Sequence, residues 1–134
     1  MSNSSEVTAG TNATSTQFNN LRKDLFTGAK AYGTESDGAT VTFDMSDSDK
    51  GDVRTVTLAG NRTLALSNVA VGQRFTIVLK QDGTGSRTVT WWSGISWPYN
   101  VVPTLTTTAS KYDVFGFVCI ASNTYLGFVI GQSL

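Results

Sequence analysis

The sequence predicts an all-β domain: an antiparallel, jelly-roll-like β-sandwich of about eight strands, preceded by one short N-terminal helix. Three observations carry this. Apolar or alternating runs of six to ten residues recur from Ala39 to Ile130, each bounded by Gly, Ser, Asn or Pro. The runs are rich in Val, Ile, Thr, Phe, Tyr and Trp, which suit a pleated surface. Only one stretch shows the three-and-four apolar spacing of a helix.

That helix comes first. Met1 to Ala13 is Ser, Asn, Thr and Gly without periodicity, so it reads as an extended arm. Thr14 or Ser15 can cap a helix whose stripe is Phe18, Leu21 and Leu25, with Arg22 alongside; Thr27 and Gly28 end it. At about three turns it needs a surface to lie on, its own β domain or neighbouring copies. Residues 1–30 are therefore expected to form an arm and a short helix that packs on the domain or on a neighbouring copy, and residues 31–134 to form the sandwich.

Ala39 to Met45 alternates, with Val41, Phe43 and Met45 inward. Val53 to Leu58 and Arg62 to Ser67 follow, and Gly60-Asn61 between them predicts a tight hairpin with positive φ. Gln73 to Lys80 puts Phe75, Ile77 and Leu79 on one face. Gln81-Asp82-Gly83-Thr84-Gly85-Ser86 predicts a second hairpin, into Arg87 to Trp92. Pro98 and Pro103 exclude a central strand between Ser93 and Pro103. Thr104 to Ala109 suits an edge strand. Tyr112 to Ala121 is apolar on both faces, with Phe115, Phe117 and Cys119 on one, so it sits centrally or beside a neighbouring subunit. Tyr125 to Ile130 is the last strand. No internal repeat appears at a solenoid period.

Ten basic and ten acidic residues cancel and are scattered, which gives no footprint for nucleic acid. No apolar run is long enough to span a bilayer as a helix, and no signal-peptide pattern opens the chain, so membrane insertion is not expected and synthesis is assigned to the cytoplasm. The single cysteine, Cys119, lies in an apolar strand and reads as a small buried hydrophobe. The chain lacks histidine, which removes His-based triads and the usual zinc sets. Asp47, Asp49 and Asp52 cluster in one loop, but the glycine and glutamate spacing of a calcium loop is missing, and a plain turn is favoured. The acids fall mostly in predicted turns or the helix; Asp113, at a strand start, is the exception and reads as a satisfied carboxylate that could pair with Lys111, Arg74 or Arg87. No pair of carboxylates is placed for glycosidase chemistry. Neither enzyme activity nor any metal or cofactor is expected.

One segment stands apart. Trp91-Trp92-Ser93-Gly94-Ile95-Ser96-Trp97-Pro98-Tyr99 holds all three tryptophans. Such side chains fill cores, stack on sugars and anchor interfaces. Trp91 fits the strand alternation and is assigned to the core. Trp97 beside Pro98 reads as a plug at an open end of the sandwich. Trp92 and Tyr99 are the residues expected to be exposed. Trp92, Trp97 and Tyr99 are the candidate ligand or receptor contacts; Phe18, Leu21, Leu25, Phe115 and Phe117 are the candidate oligomer contacts.

Several runs carry a family resemblance: Val56 to Asn68 (VTLAGNRTLALSN), Phe75 to Trp91 (FTIVLKQDGTGSRTVTW) and Pro103 to Ala109 (PTLTTTA). Together they resemble a domain of tail-fibre, receptor-binding and other appendage proteins of tailed bacteriophages. Val7 to Thr14 (VTAGTNAT) and Phe18 to Leu25 (FNNLRKDL) look like the lead-in helix ahead of β domains in such proteins. The resemblance implies a β-sandwich, a homotrimer about a threefold axis and exposure on a virion as a fibre or decoration protein. The arm would hold other virion proteins, and a host-surface glycan or protein would be the distal partner. It transfers no catalytic motif. Phage fibres are generally longer, so the chain is expected to be a small appendage, a decoration protein or a piece of a larger fibre. The alternatives are a monomeric carbohydrate-binding module and a subunit of a non-viral surface filament.

Overall fold

A computed structural model of the chain describes residues 32–134. Nine strands form: β1 (Tyr32–Thr34), β2 (Thr40–Asp44), β3 (Val53–Leu58), β4 (Arg62–Ser67), β5 (Arg74–Gln81), β6 (Val89–Thr90), β7 (Ile95–Ser96), β8 (Tyr112–Ala121) and β9 (Thr124–Gly131). One sheet has the order β1-β3-β5-β8-β9-β7; the other is β2-β4-β6.

The expected antiparallel jelly roll is corrected by this pairing. β1-β3, β3-β5, β2-β4, β4-β6 and β7-β9 are all parallel; only β5-β8 and β8-β9 are antiparallel. The first six strands alternate between the sheets, so the chain coils as a short two-sided solenoid. One sheet advances 21 residues per coil from Tyr32 to Val53 and 23 from Val53 to Thr76. The other advances 23 from Thr40 to Thr63 and 27 from Arg62 to Val89. Both expected hairpins are therefore corners. Gly60-Asn61 takes β3 across the core to β4, with no positive φ at either residue, and the Asp82–Ser86 loop takes β5 across to β6. The expected strand Arg87 to Trp92 keeps only Val89–Thr90. Among the described residues the one β-hairpin is β8-β9, turned at Ser122-Asn123 with Asn123 at φ 49°.

Alternation within the strands explains the coil. Val41 and Phe43 from β2, Leu64 from β4, Val56 and Leu58 from β3, and Phe75, Ile77 and Leu79 from β5 all point into one core. Threonines occupy much of the outer surface, and Thr40, Thr63 and Thr90 stand side by side across β2, β4 and β6. β8 lies between β5 and β9, which accounts for its two apolar faces. Cys119 is buried, its Sγ 3.2 Å from the Ala121 carbonyl. The expected arm and helix, with Phe18, Leu21 and Leu25, lie outside the described residues.

Candidate functional site

The two sheets are unequal, and the tryptophan segment makes up the difference. The smaller sheet stops at β6, while the larger continues through β8 and β9. The inner faces of these last strands are covered by Trp91, Trp92, Trp97 and Leu105 instead. Trp91 meets Phe115 with ring centres 4.9 Å apart, and Trp92 meets Phe117 at 4.8 Å. Trp97 meets Trp91 at 5.2 Å and Phe117 at 5.6 Å, mostly edge to face. Its six-membered ring also lies over Gly127, where a Cβ would crowd it. Phe75 stacks on Phe117 at 5.3 Å. Tyr125 completes the cluster, and burial, followed by the nearby Cys119, pushes its phenol pKa up.

The candidate contact residues thus separate. Trp97 is buried, and Trp92 is half-buried with its indole N–H unpaired among the described residues. Tyr99 is 98% exposed. It sits in a single 3-10 turn, Pro98–Asn100, where Tyr99 and Asn100 both have φ 57°. Two adjacent non-glycine residues in the left-handed region are strained, and such strain concentrates where surfaces are put to use. Trp97 O accepts from Asn100 N, and Pro98 O accepts from Val101 N. A buried anchor therefore carries an exposed tip of Tyr99, Val101 and Val102. Phe115 and Phe117, the candidate oligomer contacts in β8, are buried in this same cluster within the chain.

The acidic residues are engaged in holding corners. Arg54 is fully buried and sends Nε to Gly51 O, Nη1 to Glu35 and Nη2 to the carbonyls of Asp44 and Asp47. Its guanidinium thereby occupies the centre of the aspartate-rich loop that the sequence singles out, on carbonyls a cation would otherwise need. Asp47 accepts from Asp49 N, and Asp52 accepts from Gln73. Hydrogen bonds from Ser46 and Asn68 hold the Asp44 pKa below its ordinary value. Among the described residues no three His, Cys, Asp or Glu side chains are grouped to hold a metal ion.

Asp113 is buried, as a satisfied carboxylate at a strand end should be, but its partners are not cations. It accepts from the backbone amides of Thr106, at 2.6 Å, and Ser133, at 3.0 Å. Arg87 instead pairs with Asp82 at 2.8 Å, and Arg62 with Asp37 at 2.6 Å. The Arg62 hydrogen bond lowers the Asp37 pKa. Sequence reasoning missed Gln81. Its buried side chain donates to the carbonyls of Arg87 and Thr106 and accepts from Arg87 N, joining β5 to the two loops beyond it. An amide at an inward position of an alternating strand was the available signal.

A family model described as “Putative phage tail fibre C-terminal domain” matches residues 41–119, more than half of the chain. No curated protein and no solved structure matches.

Proposed function

Because this chain belongs to the phage tail-fibre C-terminal domain family, we propose that it forms the homotrimeric head of a structural appendage, a fibre or decoration protein, on a tailed-phage virion. The family match carries this reading, since it spans the coil from β2 through the tryptophan segment into β8. The layout of the larger sheet supports it. The chain enters at β1, on one edge, while β7, on the opposite edge, leads directly into the Tyr99 tip. Five strand spacings separate those edges, about 24 Å at 4.7–4.9 Å each. Attachment through residues 1–30 and host contact through Tyr99, backed by Trp92 and Trp97, would then lie at opposite ends, as a fibre head requires. The parallel coil gives stiffness, because each strand holds its neighbours by a backbone ladder over a shared core.

Antibodies against the domain, applied to phage particles from the same source and viewed by negative-stain electron microscopy, are expected to label the particle's appendages or surface. Labelling of cell-surface filaments, with particles bare, would overturn the reading. The exposure of Tyr99 also favours a second reading, a monomeric carbohydrate-binding module. Monomer mass together with glycan binding that Tyr99→Ala abolishes would select it.

A further inference from the structure

The outward face of β8 and β9 is unusually apolar for a domain whose other outer surfaces are mostly hydroxyl and charged. Ile120 is 48% exposed, Leu126 44%, Phe128 42% and Ile130 56%, and Val53 of β3 adds 39%. These side chains alone present on the order of 450 Å² of apolar surface, within the range of the largest patch on a typical monomer and often functional at that size. A standard interface buries about 800 Å² per partner, a little over half of it apolar, so the patch supplies the apolar share of one such interface.

The face has both relief and an open edge. Gly116, opposite Phe128 on β8, lets the Phe128 ring lie flat, since any Cβ there would collide with it. Beside that ring is a depression of about 160 Å³, lined by Val53, Thr76, Gly116, Val118 and Ile130 among others. Leu126 stands on the same face. β9 pairs with β7 only at Tyr125 and Leu126, so among the described residues Gly127 to Gly131 has no strand on that side. Proteins cover such edges. Charge is sparse here: Arg74 and Lys80 lie toward β5, and Asp52 borders the depression. A distinct partner would have little charge pattern to recognise, whereas an apolar patch set close to a threefold axis meets the same patch of its own copies there.

We infer that the outer face of β8 and β9, centred on Phe128 over Gly116, is the surface through which copies of this chain associate. This rests on the homotrimer reading above and replaces Phe115 and Phe117, which face inward, with residues of the opposite face.

The test is sedimentation equilibrium of the full chain, the Leu126→Lys/Ile130→Lys double variant, Thr76→Arg, and Val71→Lys as a control on another surface. Thr76→Arg fills the depression from β5, so the two face variants fail to fold for different reasons if either does; circular dichroism melts check both. Wild type and Val71→Lys are expected near 43 kDa, about three times 14.3 kDa, with either folded face variant reduced to the monomer mass. A wild-type oligomer that both face variants preserve would overturn this face and leave the appendage reading standing. A wild-type monomer would overturn this face together with the homotrimer on which it rests.

Discussion

Arg54 donates to Glu35 at 2.7 Å with its own side chain fully out of solvent and the carboxylate nearly so. Glu35 also receives Lys50 at 2.9 Å. The pair sits where β1 ends and the β2–β3 loop returns, so it closes the first coil. Removing Arg54 leaves Glu35 with only the more exposed Lys50 and takes the donor from the carbonyls of Gly51, Asp44 and Asp47, so the cost is of the order of breaking a buried pair, about 3–5 kcal/mol. Arg54→Ala is expected to lose that much in urea denaturation with the slope unchanged. Arg54→Met, which fills the volume, should lose less. A loss below about 1 kcal/mol for Arg54→Ala would show the pair to be idle.

Asp82 contributes to the acid slope of the stability curve. The Arg87 hydrogen bond, followed by the amide of Gly85, holds its pKa at about 2, below the ordinary 3.8. The unfolded chain therefore takes up this proton first, and the contribution reaches its full value above about pH 5. It fades as pH falls from 3.8 through about 2. Asp37 and Asp44 are also held low and add the same sign. Asp82→Asn should flatten stability against pH between about 4 and 2 without abolishing the slope. An unchanged slope would remove Asp82 from the account.

Strand positions and faces were legible because alternation is local. Phe75, Ile77 and Leu79 face inward as their spacing requires, and β8 is central as its two apolar faces demand. Pairing was not legible. Gly60-Asn61 and Asp82-Gly83 serve a corner as well as a hairpin, and only the core on the far side decides between them. The coil left no repeat to find, because its corners differ in length: the β2–β3 loop must wrap Arg54, while β3–β4 needs only three residues, Ala59 to Asn61. At the candidate site, Trp91 was expected in the core from strand parity and does pack against it, but it lies beyond β6 beside Trp92, which the same parity would turn outward. The roles of Trp92 and Tyr99 depended on how far the smaller sheet extends, which no local pattern encodes.

Gln81 is expected to be as sensitive as a large core residue. Gln81→Ala would leave the part-buried Arg87 carbonyl and amide and the Thr106 carbonyl without their partner. Each buried unsatisfied group costs about 1–3 kcal/mol, partly recovered where water can enter, so a net loss of about 2–4 kcal/mol follows. Thermal unfolding of the variant measures it. Hydrogen exchange should rise at the Arg87 amide before it rises in β5. Uniform loss of protection would place the damage in the core instead.

The tryptophan segment should divide sharply under substitution. Trp97 rests on Gly127 and against Phe115 and Phe117, so Trp97→Ala opens a cavity where two strands have no sheet opposite. A loss of about 3–5 kcal/mol is expected. Trp92 packs as tightly on one side, but its buried indole N–H has no partner among the described residues. Trp92→Phe keeps an aromatic ring against Phe117 and Tyr125 and removes that unpaired donor, so its packing loss and its polar gain oppose each other. Stability should stay within about 1 kcal/mol of the parent. Tyr99→Ala touches an almost fully exposed ring and should change stability by no more than about 0.5 kcal/mol. Denaturant titrations of the three variants side by side check the order. A destabilising Tyr99→Ala would mean that the strained turn is held by its ring, and the tip would then be a structural cap.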